Sequence, residues 1–295
     1  MTLVHVESPH LETTPIKLDT IVIATDFSRA SQRAFEVASQ LASRYQASLV
    51  ISHVMSPLSA APMTGAESRQ IEVDSWVARQ KLSVLADRPH ARGLDVRTTV
   101  ALGAIGDEVL GIINQQKADL LVVGTHGGLG LEKLMMGSVA EALFRSSPVP
   151  VITVGPRSGN VQLPFKKILF AADLSGRDLR AAQYATSIAE EDDAEIAFLH
   201  VLSHKDAERA EAWNEGGERL RELVPVDAEE WCRPVFLVDS GDAAEKILGR
   251  AHEISADLIV LSVKTPLMGD HANWSIASKV VRESSCPVLT VRGRL

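Results

Sequence analysis

Residues 21–54, IVIATDFSRASQRAFEVASQLASRYQASLVISHV, lie without a gap over residues 168–201, ILFAADLSGRDLRAAQYATSIAEEDDAEIAFLHV, at an offset of 147. The matches include polar positions: Asp26 with Asp173, Ser28 with Ser175, Arg33 with Arg180, and His53-Val54 with His200-Val201. Composition alone does not produce polar identities in one register. Further along, ADLLVVG at 118–124 matches ADLIVLS at 256–262, and PVITV at 150–154 matches PVLTV at 287–291. The chain is a duplicated domain.

Each half alternates short β-branched runs with longer stretches of helical period. TIVIATD reads as a buried strand, and Ser28 is suited to cap the helix that follows. Ala34, Val37, Ala38, Leu41, Ala42 and Tyr45 then recur at three- and four-residue spacing, which places them on one helix face. SLVISHV is the next strand. A helical stretch around 65–88, a strand near 94–101, a helix near 104–116, the strand DLLVV, a loop, a helix from about 138 and the strand PVITV complete the unit. Strands alternating with helices predict an α/β fold with a parallel, doubly wound sheet in each half. The linker falls in GPRSGNVQLP at 155–164, where glycine, proline and polar residues cluster. The chain therefore divides into a leader over 1–19, a first domain over 20–155, a linker over 156–164 and a second domain over 165–295.

The 295 residues suit two domains of ordinary size, with 45% hydrophobic and 23% charged residues in the globular range. A net charge of −8 with no basic tract argues against a nucleic-acid partner, because phosphate neutralisation needs clustered Lys and Arg. The first nineteen residues hold His5, Glu7, His10 and Glu12 and no apolar segment of signal-peptide or membrane-span length, so a cytoplasmic protein with no membrane partner is expected. Cys232 and Cys286 form no CxxC motif and are expected as reduced, buried thiols.

In a parallel sheet the ligand crevice lies at the carboxyl ends of the strands. The loop after DLLVV reads Gly124-Thr-His-Gly127, then nine residues, then Gly137-Ser138-Val139-Ala140. Glycines there let backbone N–H groups approach an anion, and Ser138 and Val139 open a helix whose N-terminus favours negative charge. This Gly-x-x-Gly, nine-residue, Gly-Ser spacing resembles the nucleotide motif of ATP-binding universal stress proteins. The resemblance extends to Asp26, to the His53-Val54 strand ending and to ADLLVVG, so it spans the first half, and the repeat makes the chain similar to tandem members of that family.

The resemblance implies two Rossmann-like domains of the adenine nucleotide alpha hydrolase type, packed as an internal pseudo-dimer. It implies ATP, ADP or AMP as ligand, with or without Mg. Ala24 and Val54 would flank the adenine and Val54 would bond it through its backbone, with Thr25 also among the cofactor-binding residues. Asp26 and Gly127 would hold the ribose, Gly137, Ser138 and Val139 would bind the phosphates, and Gly124 and His126 are further expected cofactor-binding residues. Chemistry independent of the resemblance agrees in part: a carboxylate accepts from ribose hydroxyls and repels phosphates, which places Asp26 at the sugar. His126 can touch a phosphate or cap the turn, and Lys133 can reach the phosphates or face solvent.

The second half reads Ser262-Val-Lys-Thr265-Pro-Leu-Met-Gly-Asp-His-Ala-Asn-Trp274-Ser275 at the same place: the motif glycines are gone, and Trp274 stands where a phosphate would approach. Asp173 and Val201 persist. His200, His204, His252, His271, Cys232 and Asp270 show no recognised metal-ligand spacing, so no metal site is expected. No Walker A, HExxH, GxSxG or EF-hand sequence is present. The expected function is therefore stress-response regulation through adenine-nucleotide binding in the first domain and an unidentified protein partner. A slow ATPase and a ligand-free interaction module are the alternatives. The strands PVITV and PVLTV are expected to pair, and association of two chains into a homodimer stays open.

Overall fold

The computed structural model describes residues 16–56, 65–125, 138–225, 232, 234–263 and 271–293. The first repeat gives β1 (Thr20–Ala24), α1 (Arg29–Tyr45), β2 (Ser48–Met55), α2 (Gly65–Ala91), β3 (Val96–Leu102), α3 (Ile105–Gln116), β4 (Leu120–Gly124), α4 (Ser138–Ser146) and β5 (Val151–Val154). The second gives β6 (Lys167–Ala172), α5 (Leu179–Asp192), β7 (Glu195–Leu202), α6 (His204–Ala207), α7 (Ala210–Arg221), β8 (Val235–Ser240), α8 (Ala243–Glu253), β9 (Leu258–Val263), α9 (His271–Glu283) and β10 (Val288–Arg292). These form two compact units. One comprises Lys17–Leu163 with Thr265–Arg292, and the other is built on Pro164–Lys264.

In the first unit the strands run β3-β2-β1-β4-β5, all parallel, and β10 lies antiparallel on β5 with Val288 opposite Thr153. The expected pairing of PVITV with PVLTV is therefore present. It also explains why α9 and β10, part of the second repeat by sequence, are counted with the first unit. In the other unit β9-β6-β7-β8 are parallel.

Ile21, Val22 and Ile23 on β1 are all fully buried, as are Leu49, Val50 and Ile51 on β2. Residues that point to opposite faces can all be buried only if helices cover both sides, the condition for a doubly wound sheet. The face of α1 predicted from spacing is the buried one, with Ala34, Val37, Ala38, Leu41 and Ala42 all inside. The Ser28 side chain caps that helix by accepting from the Ser31 N–H at 3.2 Å, and Gln46 ends it in the left-handed conformation.

Several polar identities of the repeat now have a structural reason. Asp119 accepts from the N–H groups of Asp19 and Thr20 at 2.8 and 3.0 Å, and Asp257 does the same for Lys166 and Lys167 at 2.8 and 3.0 Å. Each carboxylate ties down the chain entering the central strand. Cys232 and Cys286 are both buried. No helix of the described residues is long and apolar enough to cross a membrane.

Candidate functional site

The strand registers bring the ends of β1, β2 and β4 together, with Ala24 beside both Ser52 and Val123. The strand order reverses beside β1, so the crevice expected at a switch point opens there. It is a cavity of about 340 Å³, walled by Ala24, Thr25 and Asp26 after β1, Ser52 and Val54 on β2, Val123, Gly124 and Thr125 after β4, Ile105 and Val109 on α3, and Val139, Ala140 and Leu143 on α4. Six of the residues expected from the sequence, Ala24, Thr25, Asp26, Val54, Gly124 and Val139, thus share one cavity. Ser138 is the first residue of α4. His126, Gly127, Gly137 and Lys133 lie outside the described residues.

The direction of the β2 backbone follows from its ladder. Ser48 donates to Asp19 and Ser52 accepts from Thr25, both at 2.8 Å, so even-numbered residues of β2 face β1. Leu49 donates to Asp95 at 2.8 Å and Met55 accepts from Gly103 at 2.9 Å, so odd-numbered residues face β3. Val54 therefore turns its N–H and C=O toward the β1 side, beyond the Thr25 rung where β1 has ended. The Thr25 carbonyl that would continue the ladder instead accepts from His53 Nδ1 at 2.7 Å. Among the described residues Val54 thus presents a backbone donor and acceptor at the cavity edge, the pair needed to read the edge of a heterocyclic base.

The turn from β1 to α1 is a knot of short side chains. Phe27 adopts φ 61, and its N–H donates to Thr25 Oγ1 at 3.0 Å. Thr25 Oγ1 donates to Ser31 Oγ at 3.0 Å, and Ser31 Oγ donates to the Ser28 carbonyl at 3.0 Å. Asp26 stands exposed at the cavity rim and accepts from the Ser28 N–H at 3.0 Å. Partial burial pushes its carboxyl upward, but hydrogen bonds from the side chain and backbone of Ser28, and from Ser31, outweigh that and hold it below the ordinary carboxylate value. Asp26 is thus an ionised acceptor in a fixed position.

Gly124 is required for space. A Cβ there would lie 2.6 Å from the Ala30 carbonyl carbon and 2.8 Å from the Ser31 nitrogen, both backbone atoms that cannot rotate away. The close approach of β4 to the start of α1 shapes one wall of the cavity. Sequence reasoning missed Ser31, Ser52, Ile105, Val109, Val123, Thr125, Ala140 and Leu143 as lining residues. The four-residue spacing of Ile105 and Val109 marks a helix face, but nothing local says that this face looks onto β1.

The universal stress protein family profile matches residues 17–155 and again 164–292. The chain belongs to the universal stress protein family. A universal stress protein of Methanocaldococcus jannaschii is 30% identical over 136 residues, covering 45% of this chain and 80% of that protein. One of Mycolicibacterium smegmatis is 24% identical over 299 residues, covering 93% of this chain and 97% of its own. The crystal structure of a universal stress protein from Archaeoglobus fulgidus has the same fold, with a TM-score of 0.75 at 20% identity, covering 94% of this chain and 99% of that one.

The second universal stress domain keeps part of the framework of the first. His200 Nδ1 donates to the Ala172 carbonyl at 2.9 Å, and the Ser175 N–H donates to Asp173 at 2.8 Å, reproducing the His53 and Ser28 bonds at the repeat offset. Leu174 has φ 54, as Phe27 has 61. The helix that follows differs, because Gly176 takes φ 83 where Arg29 is already helical, and α5 starts three residues later than its counterpart. Asp178 occupies the position of Ser31 and is 1% exposed. Burial first, and then the charge of Asp173, push its carboxyl up to about 6. Ser262 stands at the place of Gly124, and its hydroxyl reaches the Arg177 carbonyl at 3.4 Å. Thr265 and Asp270 lie outside the described residues.

Proposed function

We propose that the first domain of this universal stress protein binds an adenine nucleotide in the cavity at the carboxyl ends of β1, β2 and β4, and that occupancy regulates contact with a protein partner. The observation that carries this is the convergence of Asp26, the backbone edge of Val54 beyond the end of β1 and the apolar walls Ile105, Val109, Val139 and Leu143 on one cavity of about 340 Å³. That volume lies in the range of small-molecule sites, with mostly apolar walls and a few fixed polar groups. The base slides between the apolar walls and is read by Val54, the ribose hydroxyls donate to Asp26, and the phosphates extend toward the N-terminus of α4. Ligand binding biases the domain toward the conformation it binds best, and a partner reads that conformation.

The test is mass spectrometry of small molecules released from the purified chain, followed by calorimetric titration with ATP, ADP and AMP, each with and without Mg. The expected result is one adenine nucleotide per chain. A chain that carries none and binds none of the three refutes the proposal.

A further inference from the structure

The duplication supplies an internal comparison at the foot of the site. Asp26 and Asp173 sit at equivalent positions, and each accepts from the N–H of the serine two residues on, at 3.0 and 2.8 Å. What lies beneath them differs. In the first domain Thr25, Ser28 and Ser31 form a chain of hydroxyls, and Ser31 is 3% exposed and also lines the cavity. In the second domain Thr25 is replaced by Ala172, which has no hydroxyl, and Ser31 by Asp178. Asp178 Oδ1 accepts from the Asp173 N–H at 3.4 Å, while its Oδ2 is buried with no hydrogen-bond partner among the described residues.

We propose that Ser31 is the positioning residue that gives the first domain its preference for a ribose-bearing nucleotide, by fixing the orientation of Asp26, and that Asp178 at the same position deprives the second domain of that preference. This rests on the reading that the cavity binds an adenine nucleotide. Ser31 Oγ accepts from Thr25 at 3.0 Å and lies 3.4 Å from Ser28 Oγ, so removing it unties the hydroxyl chain on which the Asp26 turn rests. The hydrogen bond that Asp26 receives from the Ser28 N–H at 3.0 Å holds it as an acceptor, the role in which it takes a hydrogen bond from the ribose 2′-hydroxyl, and Ser31 acts on it through its bonds to Thr25 and Ser28 on either side. A second carboxyl beneath it, as in the Asp173 and Asp178 pair, sets like charges side by side.

The experiment titrates ATP and 2′-deoxyATP into the full chain at pH 7.5, as wild type, Ser31→Ala, Ser31→Thr and Ser31→Asp. The wild type is expected to favour ATP by about tenfold, the worth of one hydrogen bond to a charged group. Ser31→Ala should bring the two affinities within about twofold by weakening ATP alone. Ser31→Thr, which keeps the hydroxyl, should restore the preference, and Ser31→Asp should abolish it. Unchanged binding of 2′-deoxyATP shows that the variants are folded. A wild type without preference, or a Ser31→Ala chain that keeps it or weakens both ligands equally, overturns the proposal. A wild type that binds neither nucleotide overturns the functional reading itself, and this proposal with it.

Discussion

Replacing Asp178 by Asn should stabilise the protein at neutral pH and leave it unchanged in acid. Asp178 is 1% exposed, faces the charge of Asp173 and, among the described residues, has one oxygen without a hydrogen bond. Its folded value, pushed up to about 6, lies above the ordinary 3.8 of an unfolded chain. Between those two values the folded state binds more protons than the unfolded state. Stability therefore falls as pH rises through that window and stays low above it. The interval of roughly two pH units corresponds to about 3 kcal/mol lost between pH 4 and pH 7. Asn matches the shape, keeps an oxygen for the Asp173 N–H and carries no charge. The variant should therefore exceed the wild type by up to about 3 kcal/mol at pH 7.5 and converge with it near pH 4. Urea unfolding of both chains at half-unit steps from pH 4 to pH 8, followed by circular dichroism, measures the difference directly. A difference that does not change with pH, or a variant less stable at pH 7.5, refutes the assignment of a strained buried carboxyl.

Two further outcomes follow from the framework. Gly124→Ala places a methyl 2.6 Å from the Ala30 backbone and should cost about 1–3 kcal/mol in urea unfolding as β4 and α1 move apart; unchanged stability would contradict the close approach. Asp119→Ala leaves the Asp19 and Thr20 N–H groups without their acceptor and should cost about 1–3 kcal/mol, with faster hydrogen exchange confined to the start of β1.

The sequence by itself determined what depends on neighbours along the chain and on pattern. The buried face of α1, the Ser28 cap, the strand runs β1 and β4 and the duplication were all readable, because helix and strand periods write burial into the order of residues. Six of the ten expected site residues meet in one cavity, since the carboxyl ends of parallel strands are where a doubly wound fold places its crevice. The tertiary structure alone decided the rest. Ser31, Ile105, Val109 and Leu143 join the site only because α1, α3 and α4 pack around the ends of separate strands. The gap-free alignment hid the later start of α5, because Gly176 and Arg29 share a register but not a backbone conformation. The strand closing the second repeat joins the first unit because β10 finds its hydrogen-bond partners on β5. A strand's edge can be satisfied by any strand that reaches it, and which one does so is a property of the packed chain rather than of local sequence.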